Sequence, residues 1–301
     1  MTSPEAPETM SDKVQGGGSL RRPGLADLGA RTLVMGVLNV TPDSFSDGGR
    51  LRTVAEALDR ADRLREEGAD VIDVGGESTR PGAEPVPLDE ELRRVVPVIE
   101  GLSKRGFAGV SIDTTKAEVA RRALDAGADI VNDISGLAIE RELSAAAAGA
   151  GAWLVLGHTR GPPKSMQEGL IEYPKGVLSA VTAALAASME HAVEAGVVRG
   201  RIIVDPGFGF GKTLEDNLCL LRDLSHFRRL GVPVMVGTSR KGFLGTLTGR
   251  PVEDREFATA ATVALAVAGH ADMVRVHDVR SMVDVVRVAD AVMRLPGAPA
   301  M

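Results

Sequence analysis

Acids, amides and bases spaced widely along the chain have the types needed to read a flat heterocycle and an anion together. Asp113, Asn132 and Asp205 offer carboxylate and amide groups that suit ring N–H donors and ring nitrogens. Arg80, Lys241, Arg275 and His277 offer charge and donors suited to phosphate or pyrophosphate. The joint reading is a heterocycle undergoing a reaction in which an anion leaves. Each residue alone has a plainer reading: an Asp after an apolar run most often caps a helix, and an Asn often makes a turn. No nucleophile elbow with a Ser-His-Asp set is present, and no Cys/His cluster suggests zinc, since Cys219 falls mid-helix. The stretch DPGFGFGKT (205–213) mimics a phosphate loop but fails its spacing. Pro206 stands where G-x-x-x-x-G-K-[ST] needs its first glycine, and proline has no N–H to give. Thr213 reads instead as a helix cap.

These residues need a frame that brings them together, and the apolar pattern supplies one. Eight Val/Ile/Leu-rich runs occur at 32–40, 71–76, 109–113, 129–133, 152–158, 201–205, 232–237 and 273–277. Amphipathic stretches separate them, as in βα units around a parallel sheet. In TLEDNLCLLRDL the helical period puts Leu214, Leu218, Leu221 and Leu224 on one face. EEGAD, DAGAD and AGHAD place a Gly-containing helix stop just before a strand, which hints at a recurring unit. The simplest architecture is a single (β/α)8 barrel, with an open doubly wound sheet as the alternative. Each run ends in polar or small residues: Asn39, 75–79, Asp113, Asn132-Asp133, His158, Asp205, 237–239, and Arg275 with His277. In a barrel the C-terminal ends of all strands converge on one face, so these positions become one ring.

Composition agrees with one large α/β unit. The chain has 301 residues, of which 44% are hydrophobic and 25% charged, and barrels of this kind take about 250. Residues 1–30 are rich in Pro, Gly, Ser and charge and read as a mostly disordered extension, with a little order after Leu20, before a domain over 31–296. A net charge of −6 argues against a nucleic-acid partner. The N-terminus lacks a signal-peptide pattern, no run reaches membrane-span length, and the single cysteine suits a reducing compartment, so a cytoplasmic location is expected.

The segments MGVLNVTPDSFSDGG (35–49), DVIDVGGESTRPGA (70–83), SIDTTKAEVA (111–120), VNDISG (131–136), DPGFGFGKT, GTSRKGFLG (237–245) and VRVHDV (274–279) together resemble dihydropteroate synthases. The resemblance runs in order from about Arg31 to the last helix. It implies condensation of 6-hydroxymethyl-7,8-dihydropterin pyrophosphate with 4-aminobenzoate, on a (β/α)8 barrel, as a homodimer, with Mg2+. By matching motif, Asn39 is implied as the metal and pyrophosphate contact, and Asp113, Asn132 and Asp205 as the pterin pocket. Lys241 is implied to touch the pterin carbonyl and N5 side, while Arg275 and His277 cradle the pyrophosphate. Lys241, Arg275 and His277 are the expected catalytic set. Thr79 and Arg80, with the loop holding Asp43 to Phe45, are implied to close the site, and Phe210 and Ser239 to line the aminobenzoate pocket. The expected chemistry is an SN1-like substitution. Gly157 and Thr159 depart from the family, which usually has Met beside the histidine of the fifth strand, and so bear on the pocket floor. Ala258 stands where glycine is usual. Two other readings are a non-catalytic paralogue, which predicts erosion of the ring, and a methyltetrahydrofolate-dependent methyltransferase domain, which would lack SRK and NVTPDSF.

Overall fold

The computed structural model describes residues 25–40, 53–167 and 173–294. Among the described residues there are eight strands: β1 Leu33–Asn39, β2 Val71–Gly75, β3 Val110–Asp113, β4 Ile130–Asp133, β5 Trp153–Gly157, β6 Ile202–Asp205, β7 Met235–Val236 and β8 Met273–Val276. The helices are α1 Val54–Glu66, α2 Leu88–Lys104, α3 Ala117–Asp125, α4 Leu143–Ala150, α5 Val177–Glu194, α6 Leu214–Arg222, α7 Gly242–Thr248, α8 Glu256–Ala268 and α9 Val279–Met293. All pairings are parallel, in the order β6-β5-β4-β3-β2-β1-β8-β7. A parallel bridge between Val204 and Val234, with Val204 N–H donating to Pro233 O at 2.9 Å, joins the two ends and closes the ring. The expected barrel is thus present, with one difference: β7 and β8 are separated by two helices, α7 and α8, rather than one.

Strand alternation sorts the side chains. Leu33, Met35, Val71, Ile130, Val155, Ile203, Met235 and Met273 form one buried cluster in the lower barrel, with Leu25, Leu28 and Trp153 packed against it. Val34, Leu38, Ile72, Val74, Ile112, Val131 and their neighbours belong to a separate core shared with the helices. Two residues further along the same inward parity come Asp73, Asn132, Asp205 and Arg275, then Gly75, Gly237 and His277. The apolar plug and the polar site therefore alternate with the same period, and a one-residue slip would turn both outward.

The three GAD-like stops share a device. Asp70, Asp129 and Asp272 each accept, through Oδ2, the N–H of a residue at or next to the start of the neighbouring strand: Val34 at 2.8 Å, Val110 at 3.1 Å and Val234 at 2.9 Å. Their own N–H groups donate back to the carbonyls of those residues. Gly68 and Gly127 take the left-handed turn before the first two, but in AGHAD it is His270, at φ 65, that does so.

One expectation, the inward face of α6, is corrected. Residues 25–30, in the segment after Leu20 where a little order is expected, are ordered under the barrel, where Arg31 pairs with Asp70 and Arg294 donates to Gly29 O. The earlier part of that extension lies outside the described residues. In α6, Leu218 is 40% exposed, and the buried face is Asn217, Leu220 and Leu221. Asn217 is inside because its amide accepts from Gly209 N–H and donates to Thr213 O, tying the preceding loop to the helix.

Candidate active site

A cavity of about 620 Å3 opens at the C-terminal ends of the strands. Asn39, Thr79, Arg80, Phe210, Ser239, Lys241, Arg275 and His277 line it. Asp113, Asn132 and Asp205 are buried and are not among its lining residues: Asp113 bonds Arg275, Asn132 shares Asp73 with Arg275, and Asp205 lies against Gly237. The strand register puts Asp113 beside Asn132 and beside Gly75, which is itself beside Asn39. A side chain at Gly75 would come within 3.5 Å of Asn39 Oδ1 and 3.8 Å of Asp113 Oδ2, so both groups flank that backbone.

Arg275 is the hub. Its Nε donates to Asp73 Oδ2 and one terminal nitrogen to Asp113 Oδ2, each at 2.6 Å. Asp73 Oδ2 also accepts from the Asn132 amide at 3.1 Å. Two carboxylates thus fix the guanidinium in plane, and their charge outweighs burial to hold its pKa above the ordinary arginine value. Burial pushes Asp113 upward despite Arg275, with Asp73 and Glu91 adding to the rise. Asp73 was not singled out from sequence, although it lies on the inward parity between Val71 and Gly75. Among the described residues, its Oδ1 and the hydroxyl of Ser111, its register partner on β3, have no hydrogen-bond partner. Unsatisfied buried oxygens under a pocket mark a site built for more than packing.

Lys241 follows β7 and sits at the start of α7. Its ammonium lies 3.5 Å from the centre of the Phe210 ring, a cation–π contact. Burial, with Arg275 adding repulsion, lowers its pKa to about 7, against the pull of Asp205 and Asp113. Asp205 is pushed up by burial, while its Oδ1 accepts the Gly207 N–H at 2.7 Å.

Ser239 lines the cavity and also engages His277. Its hydroxyl accepts the His277 N–H at 3.2 Å and lies 3.1 Å from His277 Nδ1. The same hydroxyl is thus within hydrogen-bond reach of Nδ1, where donor and acceptor are set by the imidazole tautomer. Burial and four neighbouring cations, Arg275 first among them, keep His277 neutral, its pKa well below the ordinary value. Ser239 lines the pocket and orients the histidine.

The loop at 205–213 is a brace. Gly207, Gly209 and Gly211 all take positive φ, and a Cβ at Gly207 would lie 2.0 Å from His158 O. Lys212 turns back into the loop and donates to Gly207 O at 2.8 Å, His158 O at 3.1 Å and Phe210 O at 3.2 Å. Burial lowers its pKa to about 7, yet three carbonyl acceptors call for the three N–H of the ammonium. Thr213 caps α6 in a reciprocal box with Asp216, as expected. His158 is drawn from the ring into this brace, 3.1 Å from Lys212, with its pKa lowered to about 3 by burial and that neighbour. Asp133 is likewise a turn organiser, accepting from Ser135 and Leu137 N–H.

At Gly157 a Cβ would lie 2.6 Å from Ile134 O, so the glycine is a close-packing requirement. Thr159 donates to Gly161 O at 2.8 Å and lies 3.7 Å from the Met166 sulfur, and Met166 packs with Ile134 and Phe210. Ala258 is a partly buried packing residue of α8. The loop with Asp43 to Phe45 lies outside the described residues.

Comparison with known proteins agrees with this geometry. Residues 35–277 match the family model for pterin binding enzymes. The chain is 49% identical over 271 residues to the dihydropteroate synthase of Synechocystis, covering 90% of this chain and 93% of that relative. A crystal structure of Yersinia pestis dihydropteroate synthase with a sulfonamide drug complex superposes with a TM-score of 0.84 at 41% identity, covering 88% of this chain and 96% of that one. The Xanthomonas albilineans enzyme with 4-aminobenzoic acid gives a TM-score of 0.82 at 45% identity, covering 89% and 95%. The chain therefore belongs to the pterin-binding enzyme family, among the dihydropteroate synthases.

Proposed function

We infer that the chain has dihydropteroate synthase activity, condensing 6-hydroxymethyl-7,8-dihydropterin pyrophosphate with 4-aminobenzoate to 7,8-dihydropteroate and pyrophosphate. The observation that carries this reading is a cavity lined by Asn39, Lys241, Arg275 and a neutral His277, in which Arg275 is held from behind by the buried Asp73 and Asp113. Asp113, Asn132 and Asp205 bind the pterin by accepting its ring N–H groups and meeting its ring nitrogens. Lys241 donates to the pterin carbonyl side, with Phe210 as an apolar wall. Arg275 and His277 hold the pyrophosphate as the C–O bond to the pterin methylene breaks and its electron pair leaves with the anion. The aminobenzoate nitrogen then forms the C–N bond and loses a proton. No side chain needs to act as nucleophile; positioning and electrostatics carry the rate.

Magnesium is proposed as the cofactor. Among the described residues no group of three or more His, Cys, Asp or Glu could cage a metal. Asn39 offers a single hard oxygen at the pocket, which fits an ion held chiefly by substrate phosphates and water. When bound, it supplies charge neutralisation to the departing pyrophosphate. A homodimer is proposed on the exposed apolar stripe of α8 and α9. A cytoplasmic location is proposed on the single, half-buried Cys219, which leaves no internal disulfide to form. Separately, no described helix is long and apolar enough to cross a membrane.

The test is pyrophosphate release in the presence of both substrates and Mg2+. Release dependent on both is expected, and Asp113→Asn should lower pterin affinity by about tenfold or more, the scale of a lost charged hydrogen bond. No release above background sinks the reading.

A further inference from the structure

The loop between β2 and α2 reaches the pocket with Thr79 and Arg80, yet its base is gripped elsewhere. Glu91 of α2 is fully buried and accepts from Lys116 Nζ at 2.5 Å and Thr114 Oγ1 at 2.7 Å. The same ammonium reaches Glu77 Oε2 at 2.6 Å. That oxygen also accepts the Val86 N–H at 2.8 Å, so Glu77 closes the loop by bonding its far end. Arg94 of α2 donates to Gly76 O at 2.8 Å. At the tip, Gly82 N–H donates to Pro163 O at 3.0 Å and Lys164 pairs with Glu84 in the open. Exposed pairs contribute little, whereas a buried, multiply bonded charge is rigid in direction.

The cluster also has a second attachment. Thr114 and Lys116 follow Asp113 directly, so they tie the loop base to the strand that carries that buried carboxylate. Burial pushes the Glu91 carboxyl up; burial pulls Lys116 down, but its two carboxylate partners outweigh that and leave it raised. The ammonium therefore persists between two acids. Buried ion pairs are poor stabilisers compared with apolar packing, which leaves geometry as the stronger account of this one.

We propose that Lys116 is a positioning residue for the second substrate: by bridging Glu77 to Glu91 it sets the β2–α2 loop so that Thr79 and Arg80 face the pocket mouth. The identity of that substrate as 4-aminobenzoate rests on the activity inferred above. The experiment uses the full chain as wild type, Lys116→Met, Lys116→Arg and Glu77→Gln. Glu77→Gln retains an oxygen for Val86 and leaves the Glu91–Lys116 pair whole, so it folds even where Lys116→Met does not. Pyrophosphate release is titrated with each substrate, calorimetry follows dihydropterin pyrophosphate alone, and hydrogen exchange is read over 77–87. In Glu77→Gln and Lys116→Met the KM for 4-aminobenzoate should rise about fivefold or more, the equivalent of one lost kilocalorie, with pterin affinity within about twofold and exchange over 77–87 faster. Lys116→Arg should restore most of the loss. Unchanged exchange with a wild-type KM, or pterin affinity falling in step with the KM, overturns the proposal. Exchange reads the loop whatever the reaction, so a wild type that releases no pyrophosphate overturns the inferred activity alone.

Discussion

At the level of single residues, the site depends on charges held where water would not leave them. Lys241 is lowered to about 7 chiefly by burial, and Asp205 and Asp113 are raised chiefly by burial. The signs are opposite in effect. A lysine loses its charge as pH rises through its pKa, whereas an aspartate gains its charge as pH rises through its own. If pterin capture needs both charged forms, kcat/KM for the pterin substrate is bell-shaped, because that ratio reports the free enzyme. Its acid limb lies above the ordinary carboxylate range and its basic limb lies near pH 7. Lys241→Arg stays charged at every pH measured, so its profile should lose the basic limb whatever its maximal rate. A basic limb that survives unchanged in Lys241→Arg removes Lys241 from the assignment. Residues at this scale were unevenly legible. Asp113, Asn132 and Arg275 stood out by type and place, but Asp73 did not, because an acid inside an apolar strand run has no local signature. It becomes visible when parity is counted from Val71 to Gly75. The partner of Ser239 was hidden for another reason: its bond to His277 spans 38 positions and joins two strand ends.

At the level of elements, the aspartates of the GAD-like stops hold the opposite end of the barrel from the pocket. Asp129 accepts from Val110 N–H at the foot of β3, the strand whose other end bears Asp113. Asp129→Ala leaves that strand-starting N–H without its side-chain partner. The expected cost is about 1–2 kcal/mol, seen as a fall of a few degrees in thermal midpoint, with KM for both substrates unchanged. Conserved substrate affinity with lower stability is the signature of a bottom-face residue in such a barrel. A loss of pterin affinity instead would mean that strand β3 transmits the change to Asp113. The repeat itself was readable as similarity among three segments; its mechanism was not, since the acceptor's partner lies one strand away. The helix α6 shows the converse. Leu218 fits the helical period but faces solvent, because the neighbouring loop claims Asn217 and rotates the buried face toward it. Periodicity found the helix, and a tertiary hydrogen bond chose its inward side.

Across the whole molecule, the eight strand positions were legible because inward apolar and inward polar residues obey the same two-residue period over every strand. The extra helix after β7 was not, since two short helical segments between strands read as one connection. That region has a further consequence. Phe257 is 89% exposed on α8, and Leu265, Val288 and Val292 are 56%, 67% and 63% exposed along α8 and α9. Ala264, Ala268, Val285 and Ala289 lie in the groove between them. Contiguous apolar surface of this kind is uncommon on a monomer, and a two-fold axis lets one such face cover its own copy. Neither helix lines the catalytic cavity, so assembly and substrate capture are separable. Val288→Glu places a charge on the face at small cost to the isolated fold, since the side chain is already in water. Sedimentation should give a dimer for wild type and a monomer for Val288→Glu at the same concentration, with pterin affinity retained. A wild type that sediments as a monomer at micromolar concentration would remove the dimer and leave this stripe without an occupant.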